Sequence, residues 1–389
     1  MTGLRSGLPG CGNRRAAGTL PGHDRYMFFT APSGPALTVD HAQQLDDEFF
    51  QSLPLEYFHA RIASLISGTD ASDNSSPLAG AFAEALGVDD PSDVLSSSAP
   101  SRELQIAIDS FAMRHHAAEA LVRLYHALTV TADPDDPAAC VWARIADGPY
   151  KTANLVKESR SHLRENHDSF WSLVLRPTDI TASELDKFNK ALNVMASWFQ
   201  YAMHLLVRDD VDLNAAHTKV KHGLAVRPRH DLMSFVTEPL QPGAVPLSAL
   251  TGPSAIDIFA GPSLDSLARP SKINGRAQGL EITRLNLNSA TLLVEILMIT
   301  TTYGAMFHIA AARHFSRRDV EIAAYPPLPL GPTPNELLPD SMAVGLRQPL
   351  TTPPDGGEPD RTTTISYQRG YQELHIDHSG KWSGTVTEG

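Results

Sequence analysis

Residues 101–130 read SRELQIAIDSFAMRHHAAEALVRLYHALTV, and this stretch decides the fold class. Leu104, Ile108, Phe111, Ala118, Val122 and Tyr125 recur at helical spacing, and Leu121 and Leu128 widen the stripe. An apolar stripe of that width on so long a helix must be covered by other helices. Suitable partners lie on both sides. Thr38 and Asp40 precede Leu45, Phe49 and Phe50 as an N-cap precedes a buried face. Pro54 suits the first turn of the next helix, with Tyr57, Phe58, Ile62, Leu65 and Ile66 as its buried stripe and Gly68 as its stop. Pro77 to Leu86 is a short helix ended by Gly87. Downstream, Ala138–Ala146 and Lys151–Arg164 are helical. Ser183 starts a long helix carrying Leu185, Phe188, Leu192, Met195, Phe199, Met203 and Leu206, and Asp210–His222 is a further short one. Asn288 and Ser289 cap a last long helix that runs to about His314.

Elsewhere the chain changes character. Residues 1–36 are rich in Gly, Pro and Arg without periodicity and read as disordered; Met27 opens a more ordinary stretch, so it is an alternative start. Residues 69–76 are a polar linker, and Asp133 to Pro137 breaks the helical run. After Gly223, prolines at 228, 239, 242, 246 and 253 exclude long helices. Ala255–Phe259 and Leu280–Leu287 read as two short strands, a small β insertion near 255–287. Ten of the forty residues from Glu321 to Asp360 are proline, which predicts an extended linker over 319–360. Thr362–Gln368, Tyr371–Asp377 and Lys381–Thr387 alternate like a weak C-terminal β meander over 361–389. The expected architecture is therefore mainly α: a helical bundle over 37–318 with a β insertion, a Pro-rich linker and a small meander or tail. No internal repeat is visible.

The length of 389 residues and the 42% hydrophobic content fit a chain that buries a sizeable core. A formal charge of −12 excludes a globally basic nucleic-acid coat but not a local basic patch. Two cysteines, Cys11 and Cys140, make neither a disulfide scaffold nor a Cys-rich zinc site and fit a reducing, cytoplasmic setting. No run of ~18 apolar residues predicts a membrane span. The nearest case, Ala290 to Ala312, contains Glu295 and His308 and reads as a core helix. Arg14-Arg15 lack the apolar stretch that a secretory signal needs.

Against this acidic background, Leu213–His230 contains no Asp or Glu and carries His217, Lys219, Lys221, His222, Arg227, Arg229 and His230. On a helix His217 and Lys221 share a face, and Lys219 neighbours His222. Gly223 suits a left-handed helix stop, which places His222 where terminal carbonyls favour an imidazolium. A histidine poised so can exchange protons near neutral pH, and Lys221 can neutralise a phosphoryl oxygen. Lys221 and His222 are thus the candidate catalytic pair for metal-free phosphodiester cleavage. The same Lys-His-Gly is also an ordinary helix C-cap. A second constellation lies on the long helix: Glu119 and Arg123 are spaced to pair, worth about 0.3–0.5 kcal/mol if exposed. His115 or His116 with Glu119 could begin a metal site, but no matching Glu-x-x-His element accompanies them.

The helix Arg114-His115-His116-Ala117-Ala118-Glu119-Ala120-Leu121-Val122-Arg123-Leu124-Tyr125, followed by Asn214 through Lys221-His222-Gly223, resembles bacterial HEPN-like helical proteins. The resemblance covers about residues 100–225. It implies an all-α up-and-down bundle acting on or sensing RNA or nucleotides, either as a metal-independent ribonuclease or as an inactive binding module. Active members carry an Arg followed four to six residues later by His. That spacing does not occur near Gly223, so the family's catalytic pair is not inherited here.

Nucleophile-elbow, P-loop, dinucleotide-fingerprint and His-Glu-x-x-His motifs are all missing from the sequence. Asp46-Asp47-Glu48, Asp89-Asp90 and Asp209-Asp210 read as solvated faces and helix starts. The expectation is a helical protein that binds RNA or a nucleotide through Asn214, His217, Lys219, Lys221, His222, Arg227 and Arg229, with Glu119 and Arg123 alongside. It needs no cofactor, metal or membrane. The alternative is a non-catalytic interaction scaffold that pairs with itself or another protein, its Pro-rich tail serving as a docking segment.

Overall fold

A computed structural model describes residues 37–67, 77–88, 98–131, 139–176, 185–208, 210–222, 226–236 and 255–374. The chain divides into a short unit, Met1–Thr38, and a large one, Val39–Gly389, which carries everything below. It begins with α1 (Val39–Phe50), α2 (Pro54–Ser67), α3 (Pro77–Leu86) and α4 (Ala99–Thr129). The helices α5 (Val141–Asp147), α6 (Thr152–Glu165), α7 (Asp168–Val174), α8 (Leu185–Leu205) and α9 (Leu213–Lys221) follow. Strands β1 (Val226–Val236), β2 (Ala255–Ala268) and β3 (Glu281–Asn286) lead into α10 (Ser289–His314) and the short α11 (Pro334–Leu337). The described chain closes with β4 (Ala343–Pro349), β5 (Thr363–Tyr367) and β6 (Tyr371–Leu374).

The protein is mainly α, with α4 and α10 packed along each other at its centre. Leu121, Val122, Leu124 and Tyr125 of α4 and Ile296, Ile299, Met306 and Phe307 of α10 are buried there. Helices α2, α7 and α8 contact α10, and α5, α6, α8 and α9 contact α4. Ser98 caps α4, its hydroxyl accepting from the Ser101 amide at 3.3 Å. Helix α10 is long and apolar enough to cross a membrane, yet most of it is buried inside the protein. Its hydroxyls enter the core because Thr300 and Thr302 donate back to the carbonyls of Ile296 (2.8 Å) and Met298 (3.1 Å).

The six strands form one antiparallel sheet in the order β1-β2-β3-β4-β5-β6, with α10 inserted between β3 and β4. This corrects the expected β insertion: the sheet takes in residues 226 to 374, not 255–287 alone. Pro228 sits in edge strand β1, and Pro262 lies just outside the β2–β3 pairing. Both places tolerate a residue that cannot donate to a ladder. The stretch expected as a Pro-rich linker also contributes to the fold. Pro334 opens α11, where Thr333 and Glu336 form a capping box, and Pro349 ends β4. Strands β5 and β6 match the first two expected meander strands but extend the common sheet. Helix α7 was not foreseen, and Tyr57 and Ile66, expected in the buried stripe of α2, are exposed. The 1–36 segment, Gly68, the 69–76 linker, Asp133–Pro137, Ser183, Gly223 and Lys381–Thr387 lie outside the described residues.

Two acids read as solvated are tied into the fold. Asp46 is buried and caps α5, accepting from the amides of Val141 (2.9 Å) and Trp142 (3.0 Å) and from the Cys140 thiol. Burial pushes that thiol up to about 11, so Cys140 is a structural group rather than a nucleophile. Asp47 pairs with His314 (2.6 Å), the last residue of α10, and with Arg318 (2.6 Å) just beyond it. The strand entry at Gly279 is equally tight, because a Cβ there would stand 1.9 Å from the Thr351 carbonyl oxygen. Gly279→Ala is expected to destabilise the protein by about 1–3 kcal/mol through overpacking, read as a lower urea midpoint.

Candidate functional site

Helix α9 starts from Asp212, whose left-handed φ of 49° turns the chain sharply. Asn214 is spent on that turn: its amide donates to the Leu206 carbonyl, so it orients the loop rather than a ligand. The helix then lies against α4. The His217 ring stacks on His115 (4.8 Å, 12°) and meets His116 edge-on (5.1 Å, 81°). The three imidazoles grade from exposed His116 through half-buried His217 to His115, which is 1% exposed. Nε2 of His115 and Nε2 of His217 lack a hydrogen-bond partner among the described residues.

All three rings are held below the ordinary imidazole range. Burial does most of this for His115, with Arg114 and His217 adding to it. His217 is lowered to about 4, by burial first and then by His116, Lys221 and Arg114, against Glu119. His116 is lowered by desolvation, then by Arg61 and Lys221, with Glu119 opposing. The site therefore combines neutral imidazoles with the nearby cations Arg61, Arg114 and Lys221, set against Glu119. Glu119 is held by Arg123, whose Nε donates at 2.8 Å, and Arg123 Nη1 also reaches the Pro149 carbonyl.

Lys221 and His222 are exposed at the end of α9, where His222 is the C-cap and its amide donates to the Thr218 carbonyl at 2.9 Å. The structure thus gathers Glu119, His217 and Lys221 with His115 and His116. Other members of the cationic run are dispersed. Arg227, Arg229 and His230 lie on β1 rather than on a helix. Arg227 is exposed, but Arg229 faces the buried Asp265 at 3.6 Å and His230 meets Glu103 of α4 at 3.1 Å. The Lys219 ammonium is buried without a hydrogen-bond partner among the described residues, and desolvation lowers its pKa. No group of three His, Cys, Asp or Glu able to hold a metal occurs among the described residues.

A polar network beside the histidine cluster of α4 escaped the sequence reading. Arg114 Nη1 reaches Glu295 Oε2 at 3.1 Å, and Tyr201 Oη donates to the same oxygen at 2.8 Å. Glu295 is 2% exposed, and its charge keeps the Arg114 pKa raised although burial opposes this. Beside Tyr201, α8 turns Ser197, Gln200 and His204 into a cleft. The available signals were a lone Glu inside an apolar helix and polar residues spaced along one face of α8. No protein family, curated protein or solved structure matches the chain.

Proposed function

We propose that this protein is a cytosolic binding module for RNA or nucleotide phosphates, its helices arranged as an HEPN-like bundle. Lys221, His222 and Arg227 contact the phosphates, and His116 and His217 stand behind them. The observation that carries this reading is the exposed Lys221 and His222 at the end of α9, with Lys221 close enough to His116 and His217 to add to the lowering that burial begins in both rings. Exposed cations there attract phosphate in a chain whose net charge is −12. Binding is favoured over cleavage, since Asn214 is committed to the backbone and Glu119 to Arg123.

Fluorescence anisotropy with labelled single-stranded RNA and with ATP tests it. Binding should weaken with salt, and Lys221→Ala with Arg227→Ala should reduce the salt slope by about 2, one per lost phosphate contact. No binding at low salt, or binding that ignores the double substitution, removes the proposal. RNA cleavage abolished by His222→Ala would replace it with a ribonuclease. A second reading, a scaffold that pairs with another copy, is favoured by exposed Leu53 and Tyr57, one turn apart at the start of α2. Sedimentation showing a dimer that Tyr57→Ser dissociates would support it.

A further inference from the structure

The cleft beside α8 has a volume of ≈ 580 Å³, within the range that holds a small organic ligand. One wall is the α8 stripe Ser197, Gln200, Tyr201 and His204, spaced as one helix face. The other comes from α11, the segment after it and the β5–β6 turn, which supply Asn335, Asp340, Gln368 and Arg369.

Charge accounting decides what fits. Arg369 is paired with Asp340 at 3.2 Å and also reaches Asn335 Oδ1 at 3.3 Å. Arg208, behind the cleft, is engaged by Asp210 (2.7 Å) and by Gln368 Oε1 (2.9 Å). Arg114, below Tyr201, is paired with Glu295. Partial desolvation, with Arg208 and Arg160 nearby, keeps His204 below the ordinary imidazole range and hence neutral at pH 7. The charged groups lining this space, Arg369 and Asp340, are paired with each other, so a phosphate or an ammonium entering it meets no unmatched charge among the lining residues.

Neutral hydrogen-bonding groups remain for a ligand. The Gln200 amide has no partner among the described residues, and Asn335 keeps its Nδ2 donors after accepting from Arg369. Ser197 donates to the Asn193 carbonyl at 2.7 Å and retains acceptor capacity, while His204 offers one donor and one acceptor. Groups that donate and accept within one side chain match hydroxyls, which do the same. Pro334 and Leu338 add apolar contact for a C–H face. Tyr201, His204 and Gln368 also line an adjoining pocket of ≈ 40 Å³, room for a few water-sized groups such as a hydroxyl.

From this we infer that the cleft binds an uncharged polyhydroxylated ligand of the saccharide class, independently of the phosphate-binding surface. The test exposes the full-length protein to an array of neutral, sulfated and sialylated glycans, followed by calorimetry with any neutral glycan retained. The comparison protein is Gln200→Ala combined with Asn335→Ala, checked by circular dichroism and by RNA binding. We expect retention of neutral glycans, at least tenfold weaker in the double variant, with RNA binding unchanged. Retention of no neutral glycan, retention of charged glycans only, or equal retention by the variant overturns the inference. None of these outcomes bears on the α4–α9 surface, which the RNA measurement tests separately.

Discussion

Glu295→Leu is expected to remove about 3–5 kcal/mol of stability, among the largest single losses available to this fold. The substitution leaves the Arg114 guanidinium buried against Phe111 without its carboxylate, and takes away the acceptor of the Tyr201 hydroxyl. The cost comes from stranding a charge away from water, not from the attraction itself. Arg114→Met combined with Glu295→Leu should therefore recover most of the loss, because two apolar side chains of similar volume need no partner. Tyr201→Phe should cost about 1.5–3 kcal/mol, the range for a hydrogen bond to a charged group. Urea unfolding of the four proteins checks the ordering. A double variant as unstable as Glu295→Leu alone would show that packing, rather than charge, dominates at this position.

Acid should weaken the protein steeply between pH 6.5 and about 4. His217 is lowered to about 4 in the fold, and His115 is also well below its ordinary value of 6.5. The unfolded chain takes up these protons at about 6.5, so at lower pH the unfolded state binds more protons and gains stability relative to the fold. Each neutral imidazole then loses about 1.4 kcal/mol per pH unit, which comes to about 3 kcal/mol for His217 by pH 4. His115 adds to this, since burial is the first cause of its shift. Arg114, Arg61 and Lys221 oppose protonation of the cluster, and Glu119 favours it. Asp47 and Asp210, both lowered by arginine partners, lose stability in the same direction but at lower pH. Stability measured against pH for His217→Gln should show a shallower slope between pH 6.5 and 4.5. A slope unchanged in both His217→Gln and His115→Phe would count against the cluster as its source.

Long apolar stripes made the helices legible. The α10 start follows from Asn288 as a cap, and Gly87 at φ +70° ends α3 as its type requires, whereas the Ser98 cap of α4, three residues before the expected start, was not read. Strand β1 was hidden because Pro228, Arg229 and His230 break alternation, and its pairing with β2 depends on residues far along the chain. The prolines of 321–360 looked like a linker because composition does not show that they fall at helix starts and strand ends. For the candidate site, the run 213–230 was visible but its neutralisation was not. The partner of Arg229, Asp265, is supplied by β2, and Glu103, which meets His230, by α4. The Arg114–Glu295 contact joins residues 181 positions apart, and only tertiary packing brings them together.

Because α10 is threaded between two neighbouring strands, the chain leaves the sheet, crosses the middle of the helical body and returns to pair beside the strand it left. The two layers are stitched by one continuous thread, so neither can be excised as a free-standing half. Melting should register as one event, and a protease that nicks the β3–α10 junction would loosen both layers together.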